Sequence, residues 1–361
     1  MHVQAHPDII NDKMTYKGDF PVPTIDEFGL IRVWTEDRQS KEFLQGSGVI
    51  LGIGDDTAIV QGASGQEWLL AMDTMVEEVH FLSDTMCEED IGYKALASNI
   101  SDIAAMGGVP KFALVSVSIP PNWNEQRMKK VYDGLYECAA QYEVAVVGGD
   151  TTAAPRHLVV SVTVMGTVEA GRALRRSDAG PGQFVFLTGA TGLSAAGLHG
   201  LLPKPEGSRS PRPPQRLIKA HQRPSPSVKA GRLLVEQGWG SALNDISDGL
   251  ASEAWEIAEA SSVRLILKEA QLPLSGELAA YAHRCRINPL DWVLYGGEDY
   301  VLLGTADHRH EAAMKEQFRA EGIPLFIIGE VEQGAPEVLL EASSGRRQQI
   351  LKQGYNHFSK G

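Results

Sequence analysis

Short apolar runs in this chain repeatedly stop at glycine or aspartate, and that punctuation limits the folds open to it. Residues 68–72 lead into Asp73, and residues 144–147 lead into Gly148-Gly149-Asp150. Runs this short, bounded by turn-forming residues, read as strands. Helical patterns at 91–106 and 125–141 alternate with further strand patterns at 112–119 and 158–168. A second alternation begins near Gly171, with strands at 184–188 and 264–267, a helix start at 194–199 and a helix at 248–260. Its 361 residues exceed what one core usually serves. The expected fold class is therefore α/β in two domains, residues 25–168 and 169–361.

Two flanking stretches read differently. Residues 1–24 lack periodicity and are expected to be a flexible extension. A helix is expected from 25 to about 43, capped by Thr24 and contributing Phe28, Leu30, Ile31 and Trp34 as apolar groups. Residues 202–226 are rich in proline and basic side chains and are expected to form a solvated loop.

The net charge of -13 argues against a nucleic-acid partner, because phosphate-backbone binding needs clustered Lys and Arg. It does not argue against nucleotides, which divalent cations can bridge to carboxylates. Cys87, Cys138 and Cys285 are far apart and form no CxxC, so neither a zinc motif nor a disulfide scaffold is expected. No run approaches the roughly 18 apolar residues of a membrane span, and the start of the chain lacks a secretory pattern. These features predict a cytoplasmic protein without membrane contact.

Neither GxxxxGK[ST] nor a strand followed by GxGxxG is present, so phosphate chemistry would need another device. The candidate is the aspartates: Asp55 and Asp56 after Gly54, Asp73, Asp102 within Ser101-Asp102, Asp150 after Gly149, and Asp245 and Asp248 within Asn-Asp-Ile-Ser-Asp-Gly. Ligands of α/β sheets gather outside strand ends, where such side chains converge. Asp245 and Asp248, three apart at an expected helix start, can face one ligand. Asp102 interrupts the apolar pattern of Ile100, Ile103, Ala104 and Met106, and a carboxylate there needs a partner. Oxygen-only clusters without His or Cys suit Mg²⁺ or Ca²⁺.

As an ordered set these motifs resemble those of thiamine-monophosphate kinase. They are Gly52-Ile-Gly-Asp-Asp-Thr-Ala-Ile-Val60, Asp73-Thr-Met-Val-Glu-Glu-Val-His-Phe81, the segment from Lys94 to Gly107, Gly148-Gly-Asp-Thr151, Asp245-Ile-Ser-Asp-Gly-Leu250 and Gly296-Gly-Glu-Asp-Tyr300. The likeness runs from about residue 26 to the Gly354-Tyr-Asn-His-Phe358 ending. It implies an aminoimidazole-ribotide synthetase-like architecture whose N-terminal sheets pair in a homodimer. It also implies magnesium ligands at Asp56, Asp73, Asp102, Asp150, Asp245 and Asp248. Nucleotide contacts fall on Tyr132, Gly149, Asp150, Arg176 and Ser247, and substrate contacts on His80, Glu298 and Tyr355. The chain departs from the pattern at Ala71, Met72 and Glu78, where relatives often carry Ser or Thr and Gly.

The activity so implied is transfer of a phosphoryl group from ATP to thiamine monophosphate, giving thiamine diphosphate. A phosphate acceptor is largely deprotonated at neutral pH, so no general base is expected. The alternatives are another ATP-using enzyme of the superfamily, against which the GGED and VHF motifs count, and a non-catalytic nucleotide or thiamine-phosphate sensor.

Overall fold

The computed structural model of the chain describes residues 27–203 and 211–355; the expected extension 1–24, with Thr24, and residues 204–210 lie outside them. One sheet is built from β1 (Val49–Leu51), β2 (Ala58–Gln61), β3 (Gln66–Val76), β4 (Val109–Ile119), β5 (Ala145–Ala153) and β6 (Val159–Glu169), in the order β1-β2-β3-β6-β4-β5. Its one parallel pair is β4 with β5, joined by the Glu125–Gln141 helix, as a parallel connection requires. The two-residue period of β6 buries Val160, Val162 and Val164 on one face. The Glu88–Ala105 helix lies on that face, and Glu125–Gln141 packs beside it. The two helices touch backbone to backbone: a Cβ on Gly92 would stand 1.7 Å from the Val131 carbonyl oxygen, and one on Gly134 1.8 Å from that of Glu89.

The second sheet contains β7 (Gln183–Leu187), β8 (Leu243–Asp245), β9 (Arg264–Lys268), β10 (Leu302–Asp307), β11 (Phe326–Glu332), β12 (Glu337–Glu341) and β13 (Arg347–Gln349), in the order β13-β12-β9-β11-β7-β10-β8. β7 is apolar at every central position because both its faces are covered. Val185 and Leu187 join a core with Ala196, Leu250, Ile257, Leu278 and Trp292. Phe184 and Phe186 join the core that runs through Leu233 and Leu234 into the first sheet. The Val228–Gln237 helix thus welds the halves, and Gly231 lets it approach the Glu88–Ala105 helix: a Cβ there would stand 2.3 Å from the Ala104 carbonyl oxygen. Two α/β blocks are present, as the strand and helix alternation predicts. No described helix is long and apolar enough to cross a membrane.

Several local expectations are corrected. The long helix over 25–43 is two helices, Glu27–Thr35 and Lys41–Gly46, the second capped by the Ser40 side chain; Asp37, at φ 57°, breaks the chain between them. Trp34 is exposed there, not a core group. β3 does not stop at Asp73 but continues to Val76, and β5 runs through Gly-Gly-Asp to Ala153 as a largely exposed strand. Asp245 ends β8 and Asp248 precedes a helix that begins at Leu250, so their spacing is that of a turn. Within the Pro-rich stretch, Gln215–Gln222 is a helix that buries Leu217, Ile218 and His221. An amphipathic turn next to proline is hard to see in sequence because proline and basic residues dominate the composition.

Candidate active site

Three carboxylates from three separate elements meet between the two sheets. Asp56, Asp102 and Asp245 each offer an oxygen, and these oxygens lie within 4.8 Å of one another. Asp56 comes from the β1–β2 loop, Asp102 from the last turn of the Glu88–Ala105 helix, and Asp245 from the end of β8. Asp102 faces an unfavourable helix terminus, since a C-terminal end carries partial negative charge. Burial, reinforced by Asp73, Asp245 and Asp56, pushes its carboxyl well above the usual range. Burial likewise raises Asp56, opposed by the Arg176 guanidinium. Asp245 is pushed up to about 6 by burial, opposed by the Ser101 hydroxyl and Arg176. Ser101 Oγ donates to Asp245 Oδ2 at 2.5 Å.

Arg176 lies beside this group. Its guanidinium pairs with Asp56, with Glu256 at 2.9 Å and with Asp55 at 3.6 Å. Glu253, which is buried, ties the Asn244–Asp248 turn together: it accepts from Asn244 Nδ2 at 2.8 Å, from the Asp248 amide at 2.9 Å and from Ser247 Oγ at 3.3 Å. Asp73 sits on the helix-facing row of β3, with its amide donating to Asn99 Oδ1 at 2.9 Å. Burial raises the Tyr300 phenol, and Glu298, Asp73 and Asp245 add to it.

The Gly296–Tyr300 segment is stitched to the same turn. The Glu298 amide donates to the Ser247 carbonyl at 2.7 Å and the Tyr300 amide to that of Ile246 at 2.9 Å. Glu298 and Tyr300 hold φ of 66° and 53°, an uncommon conformation for such side chains that clusters at ligand sites. The Glu298 side chain is buried against Lys94 Nζ at 2.8 Å. Tyr355 reaches the turn from the far end of the chain, its amide donating to the Asp248 carbonyl at 3.2 Å. Burial, with Glu298 and Asp248 nearby, raises its phenol.

Of the expected residues, Asp56, Asp73, Asp102, Asp245, Asp248, Arg176, Ser247, Glu298 and Tyr355 gather in this region. The remaining four stand on other elements of the first half. Asp150 is exposed on β5, in register with Ser116, Ser161 and Thr74, a row one step along from that of Asp73. Adjacent rows of a sheet point to opposite faces. Gly149 is required by backbone: at φ 158° a Cβ would stand 1.7 Å from the Val115 carbonyl oxygen. Tyr132 lies on the Glu125–Gln141 helix with Tyr136 as a ring neighbour at 6.4 Å. His80 Nδ1 accepts from the Val76 amide at 2.9 Å, which puts the proton of the neutral ring on Nε2.

Sequence reasoning missed Lys94, Ser101, Glu253, Glu256 and Tyr300. Lys94 carried the same signal as Asp102, a charge inside an apolar and small-residue helix. The donor set fits a hard divalent cation: three carboxylates, no His or Cys, and Asp56 Oδ2 buried without a hydrogen-bond partner.

Known proteins resemble this chain along most of its length. The pattern described as AIR synthase related protein, N-terminal domain, matches residues 54–168, and its C-terminal domain counterpart matches residues 180–340. Thiamine-monophosphate kinase of Bacillus subtilis (strain 168) is 42% identical over 336 residues, covering 92% of this chain and all of that one. The Escherichia coli (strain K12) enzyme of the same name is 35% identical over 311 residues, 86% of this chain and 93% of that one. Among solved structures, AaThiL complexed with AMPPCP and TMP has a TM-score of 0.76 at 33% identity, covering 92% of this chain and 97% of that one. Thiamine-monophosphate kinase from Stenotrophomonas maltophilia K279a gives 0.68 at 32%, covering 84% and 93%.

Proposed function

Because the chain belongs to the AIR synthase-related family, and within it to the thiamine-monophosphate kinases, we propose that it phosphorylates thiamine monophosphate with ATP to give thiamine diphosphate. The observation that carries this reading is the convergence of Asp56, Asp102 and Asp245 between the two sheets, beside Arg176 and the Glu298 segment.

The reaction brings two anions together. At about 4 Å two unit charges repel by roughly 4 kcal/mol at an effective dielectric of 20. Magnesium held by Asp56, Asp102 and Asp245, with Asp73 and Asp248 assigned to the same set by the motif resemblance, would supply the charge that offsets this repulsion. Arg176, already among three acidic side chains, is suited to pair with nucleotide phosphates. We assign Ser247, Gly149 and Tyr132 to the nucleotide, and Glu298, Tyr355 and His80 to the acceptor. No residue is needed as a general base, since the attacking phosphate oxygen is already ionised. Transfer is direct and in line, and the protein contributes positioning and electrostatics.

The exposed apolar residues Met72, Leu114 and Val147 on the first sheet support homodimer pairing through that sheet. We place the boundary between the N-terminal ATP, metal and dimerisation domain and the C-terminal domain near residue 168, and the protein in the cytoplasm.

The deciding experiment measures ADP release with ATP, Mg²⁺ and thiamine monophosphate, with omission of the acceptor as control. Acceptor-dependent ADP and thiamine diphosphate are expected. Acceptor-independent release, or none, refutes the kinase reading, and labelled phosphate bound covalently to the protein during turnover refutes direct transfer.

A further inference from the structure

Lys94 is 1% exposed, among the largest fully buried side chains. It stands on the Glu88–Ala105 helix of the first half, and its partner Glu298, at 2.8 Å, belongs to the second. His221, also 1% exposed, completes the group from the Gln215–Gln222 helix: its Nδ1 is 3.4 Å from Glu298 Oε2, 3.5 Å from Lys94 Nζ and 3.2 Å from Ser194 Oγ. A buried ion pair spanning two halves is poor value as a stabiliser, because desolvation offsets most of the attraction. What it does provide is one fixed place and one fixed charge for the carboxylate.

The same helix also reaches the aspartate cluster. Ser101, which donates to Asp245, follows Lys94 by seven residues. Two helical turns separate them, a rise of about 10.5 Å. Both side chains therefore project from one side of a rigid rod, one toward Glu298 and the other toward the carboxylates that handle phosphate.

We propose that Lys94 is a positioning residue for the acceptor: its ammonium fixes the Glu298 carboxylate, and the helix that carries it sets the distance between the acceptor's organic head and its reacting phosphate. This rests on the reading of Glu298 as an acceptor contact. Lys94 acts through Glu298, the carboxylate it holds at 2.8 Å. The strained backbone at Glu298 adds to the need for such a tether, since an untethered loop would relax toward ordinary φ values.

The test compares wild type with Lys94→Met, Glu298→Gln and the neutral pair Lys94→Met/Glu298→Gln. Lys94→Met is expected to raise the KM for thiamine monophosphate about tenfold or more, the scale of one charged hydrogen bond, with the KM for ATP unchanged. In the Glu298→Gln background the same change is expected to leave the acceptor KM nearly unmoved, because its effect runs through that carboxylate. A purely structural role would instead move both KM values, or act independently of Glu298, and either result overturns the proposal. Each single variant leaves a buried charge, so the neutral pair guards against misfolding: a folded pair with a wild-type acceptor KM also overturns it. Wild type that releases no acceptor-dependent ADP sinks the kinase reading and this inference together, whereas active wild type with an unaffected Lys94→Met sinks this one alone.

Discussion

Replacing Asp102 with asparagine separates the two demands that the site places on the fold. Three carboxylate oxygens lie within 4.8 Å of one another; at that separation each ionised pair repels by about 3.5 kcal/mol at an effective dielectric of 20. Proton uptake limits the cost. The folded state lifts Asp245 from 3.8 to about 6, and at 1.36 kcal/mol per pH unit this is a destabilisation of about 3 kcal/mol. A carboxyl raised on folding binds its proton more tightly in the folded state. Its penalty is therefore absent below the unfolded value, grows as pH rises, and is complete above about 6. Asparagine at 102 keeps the shape and removes one charge. Burial is the larger cause and repulsion adds to it; asparagine removes both, so a relief of about 1–2 kcal/mol is expected at pH 8, a rise in Tm of a few degrees. With magnesium the order reverses, because the variant offers one anionic ligand fewer and gains less from the cation. Thermal melts at pH 8 in EDTA and in excess Mg²⁺ check both signs. A variant that melts below wild type in EDTA, or that gains as much from Mg²⁺, would refute the argument that these carboxylates converge to hold a cation.

Other outcomes follow from the same geometry. Calorimetric Mg²⁺ affinity should fall by at least about tenfold per pH unit below about 6, because a proton on Asp245 must leave before the metal binds; a flat profile between pH 5 and 8 would exclude Asp245. Gly92→Ala should destabilise the protein by about 3 kcal/mol or more in urea unfolding, since the new Cβ would meet the Val131 carbonyl oxygen at 1.7 Å and neither helix backbone can yield cheaply. Tyr355→Ala should raise the acceptor KM about tenfold and leave that for ATP unchanged; an unchanged acceptor KM would remove Tyr355 from the site.

The sequence by itself determined several of the strands and helices and the suspicion about the aspartates, because these are written in local period and local anomaly. A two-residue alternation makes β6, a helical repeat makes 125–141, and a carboxylate amid Ile100, Ile103 and Ala104 advertises a buried charge. The pairing of those anomalies is not local. Asp56, Asp102 and Asp245 are far apart along the chain and meet only because the Glu88–Ala105 helix is clamped among the first sheet, the Glu125–Gln141 helix and the Val228–Gln237 helix, the two helix contacts being kept free of side chains by Gly92 and Gly231. Asp150 bears the same Gly-Asp signature, yet the register of β5 sets it one row away, on an exposed strand. Lys94 carried the anomaly as plainly as Asp102 did. Its meaning waited on Glu298, some two hundred residues on, because a charge removed from water is defined by the partner that the fold supplies.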